Sequence, residues 1–371
     1  MNKAVTSLKT IADLHHAGLI KHSQVDALKK VASHYAIAIP QPIAARIDKT
    51  DPNDPLALQF VPSKAELNRQ TDERDDPIGD ELKSPCPGIV HRYPDRALLK
   101  LLNVCPIYCR FCFRRESIGQ NQTDKQAEST PATLTDDQIY KALEYVSAHK
   151  EIWELIITGG DPLILSPRRI KELTDKIANI PHVKIIRWHT RIPVILPQHV
   201  TPSLCAALTC ADKTTYVGLH TNHPKELSSE ATAACARLID AGHQMVSQTV
   251  LLKGINDDSA TLMKLMRKLV EHRIKPYYLH HTDLAPGTSH FRVSIEKGQA
   301  IMRDLRANLS GIAQPTYVLD IPGAHGKVPI GPSYIRRDDV IATDHDPIQT
   351  EQTRFNVEAP DGSCHVYNDP T

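Results

Sequence analysis

Ala97-Leu-Leu-Lys-Leu-Leu-Asn-Val104 runs directly into Cys105-Pro-Ile-Tyr-Cys109-Arg-Phe-Cys112. The apolar run has the length of a buried strand, and the residues after it are chemically capable. Five more segments repeat this plan: Glu154–Thr158, Lys184–Trp188, Thr215–Leu219, Gln244–Thr249 and Lys275–Leu279. Helical segments with start signals lie between them. Thr135-Asp136-Asp137-Gln138 is a capping box before Ile139, Leu143 and Val146. Ser166-Pro167 and Thr201-Pro202 each set an N-cap before a proline at the first helical position. Strand–helix alternation predicts an α/β fold with a parallel sheet, a partial (βα)6 TIM-like barrel. Such a sheet presents its chemistry at the strand C-termini.

Those C-termini carry Cys105 to Glu116, Thr158-Gly159-Gly160-Asp161, His189 with Arg191, His220 with Asn222 and His223, Gln248, and His280 to Asp283. Loops are polar in general, which explains any one of these but not all six together. Residues 1–90 read as a helical N-terminal extension, with helical spacing over Val25–Tyr35 and a stiff turn at Asp51-Pro52-Asn53-Asp54-Pro55. Asp72–Pro87 reads as an acidic surface loop. Residues 91–312 read as the barrel, and 313–371 as a C-terminal segment.

The chain has 371 residues, with 44 basic and 43 acidic side chains. That balance argues against nucleic-acid binding through a charged face. No apolar run approaches the roughly 18 residues of a membrane span, and the N-terminus lacks a signal-peptide pattern. The expectation is a soluble cytoplasmic protein with no membrane partner. Its 8 cysteines have no export context, so metal or redox chemistry outranks disulfides. Cys105, Cys109 and Cys112 have CxxxCxxC spacing, which suits three irons of a four-iron cluster with the fourth iron open. A structural zinc site wants four protein ligands. Three buried apolar thiols are the bland alternative.

This cysteine loop, with Thr158-Gly159-Gly160-Asp161-Pro162, resembles the radical S-adenosylmethionine (SAM) superfamily. His91 to Arg96, Cys105 to Arg115, Thr190 to Val194, His220 to Glu226, Gln248 to Asp257, Pro276 to Asp283 and Asp320 to Pro329 narrow the resemblance. They are similar, in order, to the lysine 2,3-aminomutase family. The resemblance implies a [4Fe-4S] cluster on Cys105, Cys109 and Cys112. It implies SAM beside Gly159, Gly160, Asp161, His220 and Gln248. It implies pyridoxal 5′-phosphate (PLP) on Lys327, with Arg92, Tyr93 and Arg96 near its phosphate and ring. The substrate would be L-lysine, with its carboxylate on Arg114 and its remote ammonium between Asp283 and Asp320. Two carboxylates suit a buried cation and would repel a glutamate side chain.

On residue type alone, Lys327 reads as a surface lysine and Asp283 as a turn residue, whereas the guanidinium groups of Arg92 and Arg96 suit phosphate or carboxylate oxygens, with two solvated arginines as the bland alternative. His189, His280 and His281 receive no role. The implied reaction splits SAM with a reduced cluster, takes hydrogen from Cβ of lysine and moves nitrogen from Cα to Cβ. It needs an electron donor such as a flavodoxin or ferredoxin, and it leaves self-association open. The family's structural zinc is not expected, because no cysteine lies near Asp258 and only Cys364 lies in the tail. The alternatives are β-lysine formation for elongation factor P, glutamate or arginine 2,3-aminomutation, and a non-catalytic thiol metal-binding protein. Asp320 favours the free-lysine reading over the elongation-factor branch.

Overall fold

The computed structural model describes residues 7–118, 132–337 and 353–370. The N-terminal extension is helical in short pieces: α1 (Ile11–His16), α2 (Val25–Ala32), α3 (Gln41–Ala44) and α4 (Pro55–Phe60). A short antiparallel pair, β1 (Ser7–Leu8) with β2 (Ile39–Pro40), ties it together. The expected turn at Asp51 ends in a helix cap. Asp54 Oδ1 accepts from the backbone N–H groups of Leu56 and Ala57, both at 2.9 Å, and Pro55 begins α4. Helix α2 stops short of Tyr35, whose ring instead lies 3.6 Å from the Arg115 guanidinium.

All six expected strands are present. They are β4 (Arg96–Leu102), β5 (Glu154–Gly159), β6 (Ile185–Thr190), β7 (Thr214–His220), β8 (Gln244–Val250) and β9 (Lys275–His280), each parallel to the next. The sheet extends beyond them. β3 (Ile89–Tyr93) pairs antiparallel with β4, so Arg92 and Tyr93 lie on a strand and not in a lead-in to one. β10 (Thr316–Ile321) adds a seventh parallel strand, and β11 (Gly326–Pro329) returns antiparallel to it. The order is β11-β10-β9-β8-β7-β6-β5-β4-β3, an open-edged partial barrel.

Helices α5 (Asp136–Ala148), α6 (Pro167–Ala178), α7 (Ile192–Ile195), α8 (Pro202–Leu208), α9 (Ser229–Asp240), α10 (Ser259–Glu271) and α11 (Ile295–Asn308) connect the strands. The three sequence start signals hold: Thr135, Ser166 and Thr201 cap α5, α6 and α8. A separate antiparallel sheet, β12 (Ile335–Arg337), β13 (Arg354–Glu358) and β14 (Cys364–Asn368), lies near the C-terminus.

Side-chain alternation sorts each barrel strand into two faces. Leu99, Leu101, Leu155, Ile157, Ile186, Trp188, Val217, Leu219 and Leu279 enter the apolar core with the helices. Lys100, Thr158, His189, His220, Gln248, His280 and Asp320 fall on the other face and collect at one mouth. The loop over 72–87 differs from the surface reading. Ile78 and Asp80 are buried, because Gly79 packs against Ala324 in the β10–β11 turn.

Candidate active site

Strand β4 delivers the cysteine loop, and the N-terminal extension braces it. The backbone N–H groups of Tyr108 and Arg110 donate to the carbonyls of Ala38 and Gln59, both at 2.9 Å. Beneath the loop, the buried Glu66 carboxylate accepts from Arg110 Nε at 2.9 Å and Arg115 Nη2 at 2.6 Å. Burial raises all three thiols; Cys109 is pushed up to about 12, although the nearby Arg191 opposes this. No three His, Cys, Asp or Glu side chains among the described residues close on one metal ion. A four-iron cluster makes no such demand, since each thiolate takes a different iron.

Gly160 and Asp161 hold the chain itself in place. Gly160 N–H donates to Leu102 carbonyl oxygen at 2.5 Å, and Asp161 N–H to Val104 carbonyl oxygen at 3.0 Å. This clamps the end of β4 just before Cys105. A Cβ at Gly160 would lie 2.0 Å from Val104 carbonyl oxygen. We expect Gly160→Ala to cost about 3 kcal/mol, as overpacking against rigid backbone does. Urea denaturation with iron counted per chain checks this; an unchanged midpoint with full iron contradicts it. Asp161 is buried too. Its carboxylate accepts from Thr190 Oγ1 at 2.7 Å, Arg191 N–H at 2.6 Å and Leu163 N–H at 3.2 Å. It ties β5 to the β6 loop.

The histidines without a sequence-level role join one directed hydrogen-bond chain. Lys327 Nζ donates to His280 Nδ1 at 3.2 Å, and His280 Nε2 donates to Gln248 Oε1 at 3.1 Å. Gln248 Nε2 then donates to His189 Nε2 at 2.9 Å. Burial lowers the basicity of His280, against the pull of Asp320, and takes His189 well below its ordinary value. His220 stands edge-on to His189, with ring centres 5.4 Å apart, and burial takes it down to about 3. Gly218 leaves the room, since a Cβ there would lie 2.9 Å from His189 Cδ2. His281 is turned away, bonded through Nδ1 to Tyr317 Oη at 2.7 Å.

Lys327 reaches the mouth by strand register. It sits directly across from Asp320 in the β10–β11 ladder, and their side chains form an ion pair. Lys327 N–H also donates to Tyr93 Oη at 2.6 Å. Burial raises Asp320, but the imidazole of His280 and the ammonium of Lys327 overcome it and hold the carboxyl down to about 2. For Asp283, burial and then the Asp320 charge push the carboxyl up to about 7. Arg96 stacks 3.8 Å from the Tyr93 ring centre and pairs with Asp95 at 2.8 Å, partly exposed.

Sequence reasoning missed Asp80. Arg114 donates to its Oδ2 from Nη2 at 3.0 Å, and Arg92 to its Oδ1 from Nη2 at 3.2 Å. Burial raises this carboxyl, but the charges of Arg114, Lys100 and Arg92 outweigh it and leave it below the usual range. The mouth thus joins three thiols, a lysine amine, a remote pair of carboxylates and an arginine pair.

Residues 99–266 match the family model of the radical SAM superfamily. The match covers the cysteine loop and strands β5 to β8. The chain is 36% identical to the L-lysine 2,3-aminomutase of Clostridium subterminale, over 92% of this chain and 78% of that protein. It is 36% identical to the L-lysine 2,3-aminomutase of Acetoanaerobium sticklandii, over 88% and 77%. Against the glutamate 2,3-aminomutase of Clostridioides difficile the figures are 33%, 90% and 76%. The chain belongs to the lysine 2,3-aminomutase family, and it is a radical SAM isomerase of the aminomutase type. The family carries a [4Fe-4S] cluster and uses SAM. No helix among the described residues is long and apolar enough to cross a membrane.

Proposed function

We propose that the chain interconverts L-lysine and β-lysine with PLP as a second cofactor. One observation carries the choice of substrate. Asp320 pairs with Lys327 at the mouth, and the charges of both bear on the buried Asp283 carboxyl, so the two carboxylates suit a cationic side chain and oppose an anionic one. Both positions match the family's aspartates for the remote ammonium. When bound, the reduced cluster and SAM supply a hydrogen-abstracting radical, and PLP supplies the π-system for nitrogen migration.

The chain's own residues hold and orient. Cys105, Cys109 and Cys112 ligate the cluster. Gly159, Gly160, Asp161, His220 and Gln248 form the SAM wall, Gly160 and Asp161 by fixing the β4 end. Lys327 presents its amine to PLP, with Arg92 and Arg96 for the phosphate and Tyr93 for the ring. Arg114 takes the substrate carboxylate through donors that remain beyond Asp80 and Thr158. The setting we assign is the cytoplasm, with a flavodoxin or ferredoxin as electron source.

Anaerobic protein given iron, sulfide, PLP, SAM, dithionite and L-lysine is expected to form β-lysine, read by mass spectrometry. Cys109→Ala and Lys327→Ala each lower the rate by more than about a thousandfold. Cys109→Ala also abolishes SAM cleavage, whereas Lys327→Ala abolishes the PLP band. SAM cleavage with no β-lysine from L-lysine overturns the substrate. Glutamate and arginine are then the next amino acids to supply.

A further inference from the structure

Lys100 lies on β4, on the face opposite the core residues Leu99 and Leu101. Its ammonium is half-buried, with 26% of the side chain exposed, and burial lowers its basicity. The nearest carboxylate oxygen is Asp80 Oδ2 at 3.8 Å, too far for a hydrogen bond. Asp80 is already committed to Arg92 and Arg114. Arg92 is itself under-used. Its side chain is 9% exposed, its Nη2 reaches Ile78 carbonyl oxygen and Asp80, and its buried Nε has no partner. Its Nη1 lies 3.9 Å from Asp320, which the Lys327 ammonium already holds. Three cations therefore surround one carboxylate.

A buried cation needs a charge partner, and a buried donor left unpaired costs free energy. Asp80 satisfies only part of that demand. We propose that Lys100 is an oxyanion ligand, the third cation of a cradle formed with Arg92 and Arg114. Its ligand is a carboxylate or phosphate oxygen of a molecule bound in the barrel mouth. The substrate reading gives Arg92 and Arg114 one anion each, the PLP phosphate and the amino-acid carboxylate, and Lys100 faces the Asp80 oxygen that Arg114 also holds. Asp80 is the internal counterion that keeps the cradle assembled before either anion arrives. This inference rests on the proposed use of PLP and an amino acid, and it adds a specificity-determining residue to that site.

Equilibrium binding to the full chain, without SAM or reductant, tests it. PLP uptake is followed by its protein-bound absorbance, and L-lysine by its perturbation of that band. Lys100→Met is expected to weaken one of the two at least tenfold, and Lys100→Arg to restore it to within about threefold. Two probes lacking the anion separate the sources. If phosphate is the ligand, PLP affinity falls and pyridoxal affinity does not. If carboxylate is the ligand, L-lysine affinity falls and cadaverine affinity does not. Unchanged PLP and lysine affinities in Lys100→Met overturn the inference. Equal losses for pyridoxal or cadaverine also overturn it, since they mark general damage. A native chain that takes up no PLP overturns the underlying reading instead.

Discussion

Glu66→Ala is expected to lower stability by about 3–5 kcal/mol, the usual cost of breaking a buried ion pair from one side. Glu66 lies on no barrel strand and touches no proposed ligand. Yet its carboxylate is fully buried between Arg110 and Arg115, and it also accepts from Ser63 N–H at 2.8 Å. Alanine leaves two buried guanidinium groups without their counterion. Arg110 sits between Cys109 and Cys112, and its Nη1 holds Ala36 carbonyl oxygen at 2.7 Å. Arg115 Nη1 holds the Arg110 carbonyl at 2.9 Å. Loss of Glu66 therefore loosens the segment that spaces the thiols. The prediction has two readouts: a lower urea midpoint and fewer irons per chain after anaerobic reconstitution. Glu66→Gln keeps shape and hydrogen-bonding capacity without charge, so it falls between native and alanine. A native midpoint with full iron in Glu66→Ala rules out this bracing role.

The barrel was legible because its signals are local. Apolar runs of strand length, caps such as Thr135 and prolines such as Pro167 and Pro202 each act within a few residues. The cysteine loop was legible by spacing. The support beneath it was not, because Glu66 meets Arg110 and Arg115 only through tertiary packing. Asp80 was hidden for the same reason. Its acidic, proline-flanked neighbourhood reads as solvent-facing, and its burial depends on Gly79 meeting Ala324 far along the chain. Strands β10 and β11 were obscured by Pro322 and Gly323, which belong to the turn between them. Once that hairpin forms, register alone brings Asp320 and Lys327 together. The resemblance supplied Lys327 and Asp320 as separate roles. Their pairing belongs to the fold.

That pairing shapes the second large effect. Asp320→Asn is expected to raise the KM for lysine by about 30- to 5,000-fold, the range for removing one partner of a buried charge contact. SAM cleavage, which begins at the cysteine loop, should change far less. Lysine affinity should also depend on pH through Asp283. Its carboxyl is pushed up to about 7 by burial and by Asp320, so it is neutral below that pH and charged above it. A bound ammonium favours the charged form and lowers that value in the complex. Affinity therefore rises as pH increases through 7 and is lost as pH falls from 7 toward the value in the complex. Between pH 8 and pH 6 the loss is about tenfold. Burial takes His220 down to about 3 and His189 well below its ordinary value, and the lysine ammonium stays charged across this window. Asp283→Asn should abolish the slope and leave affinity near the low-pH value throughout. Lysine binding measured from pH 6 to 8 decides the matter: a flat native profile, or a slope that survives Asp283→Asn, removes Asp283 from the ammonium site.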